Sequence, residues 1–436
     1  MVKASYPYVE YGMDKNINFP HQQVHRTLLA YTWTSILNTP FWAMITLLLF
    51  ILYKDLHATP VQITVFLMLR PLVSIFSVYW SAYVDSRRDR LKPNVIWACV
   101  LGNIPFLFFP FIQNAWYIVL SAAFYMMLSR GAMPAWMEIL RLTLPQELNK
   151  KIVSRGATIS YLGGGILALF VGWLMDDHPH IWRWIFTCTA MCNILAVWFQ
   201  RLIEIPSKKS LENAPLEETA PPLGPTFSQT VLQPWISAWR LVRARPDFAR
   251  FLWGFMLGGF GLIVVQPALP VFFVDVLQLS YKELSAAFIF CKGIAFAATS
   301  PLWVKWLHRV SIFRFCSAVT LLASLFPLLL IAAQFHIICV YLAYLSYGVM
   351  QAGSELSWHL SGPLFSKGED SSTYSSVNIA MIGLRACVTP AIGALLLAAS
   401  SPTVILLLGC SFSLLASWRM AVYGRNYAET QVAAAG

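Results

Sequence analysis

Twelve stretches of this sequence are each apolar over about 20 residues or more, long enough to cross the roughly 30 Å hydrocarbon core of a bilayer as a helix. They run near 27–53, 60–84, 94–113, 115–140, 153–175, 181–202, 249–274, 283–307, 312–333, 336–359, 373–398 and 402–423. Pro40, Pro71, Pro134, Pro267, Pro270 and Pro390 fall inside them. Membrane helices tolerate such breaks where neighbours satisfy the freed backbone groups. The turn between the second and third stretches, Trp80 to Lys92, holds Arg87, Arg88, Arg90 and Lys92 with Asp85 and Asp89. It is too short for a soluble domain, so its flanking helices must be antiparallel neighbours. Lys and Arg gather on the cytoplasmic side of spans, which puts this turn in the cytoplasm. Loops then assigned inside also hold Arg141, Lys150, Lys151, Arg155, Lys208, Lys209, Arg240, Arg243, Arg245, Arg309, Arg314 and Lys367, against Lys54, Arg183 and Lys282 outside. The expected topology is multi-pass with both termini cytoplasmic, in a plasma membrane or a bacterial inner membrane.

Composition removes other function classes. Charged residues make up 12% of the chain and hydrophobic ones 58%, with a mean hydropathy of +0.61. Globular domains carry about 25% charged residues, so this is not a soluble multidomain protein. The net charge of +11 lies in short loops, where it sets topology and meets anionic lipid headgroups, leaving no surface to track nucleic acid. All eight cysteines, Cys99, Cys188, Cys192, Cys291, Cys316, Cys339, Cys387 and Cys410, fall in apolar stretches without C-x-x-C spacing, which argues against disulfides and zinc. Asp176-Asp177-His178-Pro179-His180 is too short to close a metal's coordination sphere. The first residues lack a short apolar core and cleavage site, so no cleavable signal peptide is expected. No phosphate-cradling Gly loop or Ser-His-Asp order stands in the cytoplasmic segments. The chain therefore reads as neither an enzyme nor a cofactor protein, and any pumping must draw on a gradient.

The organisation is a tail at 1–26, a six-helix bundle at 27–203, a linker at 204–248, a second six-helix bundle at 249–423 and a tail at 424–436. The linker's first part, from Ser207, is rich in Pro and Glu and predicts disorder. Its second part, Thr230 to Arg245, sets Val231, Ile236, Trp239 and Leu241 among Arg240, Arg243 and Arg245. That pattern predicts an amphipathic helix on the inner surface, as tether or regulator. The halves resemble each other at an offset near 220 residues: Leu56-His-Ala-Thr-Pro-Val-Gln with Leu277-Gln-Leu-Ser-Tyr-Lys-Glu, Ser81-Ala-Tyr-Val-Asp85 with Pro301-Leu-Trp-Val-Lys305, and Leu144-Pro145 with Gly362-Pro363. An internal repeat of this kind is how many secondary transporters are built.

At that point the chain resembles the major facilitator superfamily across nearly its whole length. The family's motif between its second and third spans is Gly-x-x-x-Asp-Arg-x-Gly-Arg-Arg. Here the same place reads Ser81-Ala-Tyr-Val-Asp85-Ser86-Arg87-Arg88-Asp89-Arg90. Asp85 and Arg90 match, while Ser81, Ser86, Arg88 and Asp89 depart. Weaker likenesses are Arg130-Gly131 with Pro134 in the fourth span and Trp182-Arg183-Trp184-Ile185-Phe186 at the start of the sixth. The fifth span has Gly163-Gly164-Gly165 and Gly172 but lacks the Gly-Pro pair of the antiporter motif. The resemblance implies an all-α fold of twelve transmembrane helices in two pseudo-symmetric bundles, alternating access, and a gating role for Asp85 with Arg90.

Ionisable side chains deep in a bilayer are costly and mark candidate sites. At 1.5 Å per residue, Arg70 and Lys292 lie about 15 Å into the second and eighth spans, near the midplane. Arg130 and Arg385 are similarly deep in the fourth and eleventh. Four such cations would draw an anion through Arg forks and a Lys point charge, or else pair structurally with a Glu or carbonyl oxygens. Glu138 and Glu355 lie shallower. Glu355, in Gln351-Ala-Gly-Ser-Glu355-Leu-Ser-Trp358-His359, is the better candidate for proton coupling, since burial raises a carboxyl pKa. The resemblance implies that spans one, four, seven and ten line the cavity. That nominates the Tyr341, Tyr344 and Tyr347 stripe, of which Tyr344 heads the binding set, with Gln266, Asn38 and Trp42 as polar lining.

The expectation is a secondary transporter of a small anionic solute, acting as a monomer with solute, lipids and a coupling proton or ion as partners. A proton-coupled exporter of drugs or hydrophobic compounds is one alternative; it would want a buried acid and a complete antiporter motif. A non-transporting membrane sensor or assembly partner is another. A membrane enzyme acting on lipid has no catalytic constellation to support it.

Overall fold

Long helices follow one another with short turns and, among the described residues, no strand. The structure is a computed structural model and describes residues 21–85, 90–178, 180–205, 236, 239–307, 309–366 and 371–435. Twelve long helical segments result: α1 (His21–Lys54), α2 (Pro60–Asp85), α3 (Leu91–Phe108), α4 (Ala115–Thr143), α5 (Gln146–Asp177), α6 (Trp182–Gln200), α7 (Pro246–Val276), α8 (Tyr281–Leu307), α9 (Ile312–Ala332), α10 (Ile338–Ser366), α11 (Ser371–Ala398) and α12 (Pro402–Ala435). Among the described residues, eight of them (α1, α3, α4, α7, α8, α9, α11 and α12) are long and apolar enough to cross a membrane. The first twenty residues, most of the linker and the Ser86–Asp89 part of the charged turn lie outside the described residues.

Helix ends depart from the apolar boundaries mainly on one side. α1 begins at His21, α5 at Gln146, α10 runs on to Ser366 and α12 to Ala435. Backbone hydrogen bonding continues past the edge of the apolar run, and hydropathy sees only the run. Pro40, Pro71 and Pro390 sit inside continuous helices, as do Pro301 and Pro327. At Pro267 the chain does break: α7 opens into a turn at 265–267 and resumes, ending in a π-turn, Phe272–Val276. α8 contains another, Ala286–Cys291, directly before Lys292.

The helices alternate in direction, so the molecule has a linker end, where α6 connects to α7, and a distal end. Packing differs between them. At the distal end one apolar cluster spans both bundles, joining Phe41, Phe50, Phe106 and Phe186 of the first to Phe272, Phe273, Phe326 and Tyr344 of the second. Phe50 bridges them directly, with its ring 5.8 Å from Phe273 and 5.7 Å from Phe288. Toward the linker end the described residues of each bundle form their own core: Phe248, Phe251, Phe313, Phe365 and Tyr374 in the second, and smaller groups around Ala135 and Ile152 in the first. Because lipid offers as apolar a surface as leucine, the bundles hold together by close packing and polar contacts rather than by escape from water.

The repeat reappears as backbone geometry. His57 and Gln278, aligned in the two halves, both adopt positive φ, 47° and 52°. Each is followed by a capping box. Thr59 N–H donates to Gln62 Oε1 (2.8 Å) and Gln62 N–H to Thr59 Oγ1 (3.4 Å). Ser280 N–H donates to Glu283 Oε2 (2.8 Å) and Glu283 N–H to Ser280 Oγ (3.2 Å). The same turn therefore starts α2 and α8.

Candidate functional site

A cavity of about 170 Å³ opens in the second bundle between α7, α9, α10 and α11. Its polar wall is Arg385, Gln266, Thr320, Tyr347 and Ser354; Phe255, Leu262, Ile263, Val319, Ala323 and Met350 complete it. Arg385 is aimed by α7. Its Nη1 donates to the carbonyl oxygens of Phe255 (3.0 Å) and Met256 (3.4 Å), and its guanidinium stands 6.0 Å from the Phe255 ring centre. This approach requires Gly259, where any Cβ would overlap the guanidinium. The buried Nε has no hydrogen-bond partner, and no carboxylate among the described residues pairs with this arginine.

Lys292 stands nearby, outside the cavity wall. Its Nζ lies 4.8 Å from the Phe288 ring centre and 5.6 Å from that of Tyr347, so Tyr347 has Lys292 on its ring while also lining the cavity. Tyr344, three residues earlier, is fully buried and packs on Phe273, Phe288 and Phe326. The structure thus brings Arg385 and Gln266 together in one wall, sets Lys292 behind it and buries Tyr344 in the distal core. Tyr341 is half-buried at that core's edge.

The other expected site residues lie apart. Arg130 is exposed on α4. Arg70 and Asp85 occupy α2, with side chains outside the described set. Arg90, half-buried, precedes α3, and nearby Lys92 donates to the carbonyls of Arg201 and Ile203, both at 2.7 Å. Glu138 accepts two hydrogen bonds from Arg141, at 2.7 and 2.6 Å, as a local i,i+3 pair. Glu355 is half-buried and accepts from the Gln351 amide at 3.3 Å. Asn38 accepts from the Tyr125 hydroxyl at 3.3 Å, and Trp42 packs beside that tyrosine.

Sequence reasoning missed the polar contacts that join the bundles at the distal end. Asp176, at the end of α5, accepts from the backbone N–H groups of Tyr281 and Lys282, both at 2.8 Å. A carboxylate from one bundle therefore caps a helix N-terminus of the other, where the helix dipole favours negative charge. Gly172 lets the helices close: a Cβ there would meet Ser285 Oγ at 2.6 Å and the Tyr281 carbonyl at 2.7 Å. The Tyr53 hydroxyl donates to Asp275, and Lys54 Nζ sits 4.5 Å from the Tyr281 ring centre. Burial lifts the carboxyl of Asp55, in the turn after α1, above its ordinary value, although the Tyr281 hydroxyl and then Lys54, His180 and Arg183 pull it down. A signal was available. Asp176 and Asp177 end a helix, where the dipole disfavours anions, so a carboxylate there needs a partner elsewhere.

Among the described residues no cluster of His, Cys, Asp and Glu could hold a metal, and all eight cysteines are free.

The family model described as Major Facilitator Superfamily matches residues 31–362. A solved POT family transporter in complex with 5-aminolevulinic acid is similar in fold, with TM-score 0.66, 14% identity, and coverage of 92% of this chain and 96% of that one. The nucleoside transporter NupG is similar at TM-score 0.67 and 12% identity over 91% of this chain and 98% of its own. A bacterial homologue of the human lysosomal transporter Spinster, solved inward-facing and unoccupied, is similar at TM-score 0.60 and 14% identity over 93% and 99%. Comparison of the sequence with curated proteins gives no match.

Proposed function

Because this chain belongs to the major facilitator superfamily, we propose that it is a secondary transporter moving a small anionic solute across its membrane by alternating access. The family and the transporters of like fold point to transport rather than catalysis, and the apolar helices to an integral multi-pass protein. The observation that carries the anionic reading is Arg385: a cation in a cavity wall, tethered to backbone carbonyls, with no carboxylate partner among the described residues. Such a group favours an incoming negative charge, and the low dielectric around it strengthens that attraction. Lys292 adds positive potential from behind Tyr347.

Alternating access is supported by the lopsided packing. Among the described residues the bundles share an aromatic core and cross-bundle hydrogen bonds at the distal end, while their cores separate toward the linker end. With both termini cytoplasmic, as the basic loops suggest, this is an inward-facing arrangement. The exporter alternative is less supported, because the fifth span lacks the Gly-Pro pair of the antiporter motif.

Counterflow into proteoliposomes tests the reading. Labelled organic anions should exchange in the wild type, and Arg385→Gln, with a normal elution profile, should lower exchange about 10-fold or more for a lost charge-assisted contact. Uptake of cations or neutral solutes with no anion exchanged would defeat it.

A further inference from the structure

We infer that the cavity of the second bundle is a seat for a small monocarboxylate with a compact apolar body, its carboxylate received by the guanidinium of Arg385. The inference rests on the anion-transport reading above and narrows it to one substrate class.

The guanidinium has two donor edges, and the protein uses only one corner. Nη1 is committed to the Phe255 and Met256 carbonyls. The side-on edge, Nε with Nη2, has no acceptor among the described residues, and Nε is buried. A buried donor left unpaired destabilises its surroundings until an acceptor arrives, so an orphan of this kind calls for an explanation. Two parallel N–H groups match the two oxygens of a carboxylate, a geometry that lysine does not offer.

Charge limits the ligand to one carboxylate. Arg385 is the only cation in the described wall; Lys292 is held over the rings of Phe288 and Tyr347 and does not line the cavity. A phosphate monoester brings close to two charges and three oxygens that need donors. The Thr320 hydroxyl already donates to the Cys316 and Ser317 carbonyls, which leaves the uncharged Gln266, Tyr347 and Ser354 as the wall's other donors and no second cation to balance the second charge.

Volume and lining set the rest of the molecule. A cavity of about 150 Å³ lined by aliphatic and aromatic side chains is known to hold benzene. At about 170 Å³ and open on one side, lined by Leu262, Ile263, Val319, Ala323 and Met350, this one accommodates a body of at least that size. Gly259 keeps the arrangement by leaving room for the guanidinium.

The test is thermal unfolding of the full-length protein in detergent against benzoate, acetate, benzamide, succinate and glycerol 3-phosphate, paired with counterflow of the same compounds in proteoliposomes. Benzoate should raise the unfolding midpoint in a saturable way, with benzamide, succinate and glycerol 3-phosphate far weaker. Arg385→Gln should raise the half-saturating benzoate concentration roughly 10- to 100-fold. Ala323→Leu narrows the cavity while leaving the arginine in place and should move preference from benzoate to acetate, which keeps the test open if the arginine variant fails to fold. Stabilisation and exchange by succinate or glycerol 3-phosphate, with benzoate inert, would overturn the monocarboxylate inference and leave anion transport standing. Benzoate binding unchanged by both substitutions would also overturn it. Absence of any anion exchange would remove both readings.

Discussion

The helix start is built twice and completed in two ways. At α2 a left-handed His57 leads into the Thr59–Gln62 capping box, and the next residues are Pro60, which has no N–H to satisfy, and Val61, which is exposed. At α8 a left-handed Gln278 leads into the Ser280–Glu283 box, but the next residues are Tyr281 and Lys282, whose N–H groups need acceptors. Asp176 supplies them from the other bundle. The residue at the same offset from Asp176 is Leu397, which packs on the distal core instead. A pseudo-symmetric fold thus carries one self-contained turn and one that depends on its neighbour. The dependent copy is where the bundles are fastened.

Removing the acceptor should break this difference most. Asp176→Ala deprives α8 of its trans cap, a loss of about 1–2 kcal/mol by comparison with N-cap deletions. The ratio of distal-closed to distal-open molecules should fall roughly 5- to 30-fold, read as lengthening of spin-label distances between the distal ends of α5 and α8. Arg141→Ala, which opens the exposed Glu138 pair near the linker end, is the control and should leave that distance unchanged.

A smaller effect sharpens the comparison. Thr59→Ala and Ser280→Ala each remove one capping hydroxyl and should lower thermal stability by similar amounts, about 1 kcal/mol. Combined with Asp176→Ala, only Ser280→Ala should show coupling, since only α8 is capped from two sides. Equal coupling at both turns would contradict the asymmetry.

The smallest effect is that of pH. Burial holds the Asp55 carboxyl above the ordinary carboxylate range in this distal-closed form. The closed form therefore binds that proton more tightly than a form in which Asp55 is hydrated. As pH rises from the ordinary carboxylate range through the raised value, the proton leaves and distal closure weakens. The same spin-label distances should lengthen over that window, and Asp55→Asn should abolish the dependence.

Much of the architecture was legible because bilayer thickness imposes a length on every apolar run, and the charged turn at Asp85–Lys92 orders those runs in space. Arg385 stood out for the same reason: a guanidinium at that depth is expensive enough to be noticed. Its surroundings were not legible. Nothing local marks Gly259 as the space that admits the guanidinium, because the clash arises only when α11 lies against α7. Tyr344 and Tyr347 share a spacing, yet one is sealed in the core and the other lines the cavity; a 3.6-residue period identifies a face without saying what it meets. The Asp176 run was weighed as a metal site because carboxylates and histidines cluster there, whereas its partner is backbone more than a hundred residues away.

The trans cap has a consequence for the solvent. When α5 moves away from α8, the N–H groups of Tyr281 and Lys282 and the Asp176 carboxylate must each acquire a hydration shell in place of one another. Opening the distal end is therefore a water-uptake reaction, and the equilibrium between the two faces is set partly by the activity of water on that side. A concentrated, excluded osmolyte on the distal side would therefore oppose this opening without binding to the protein.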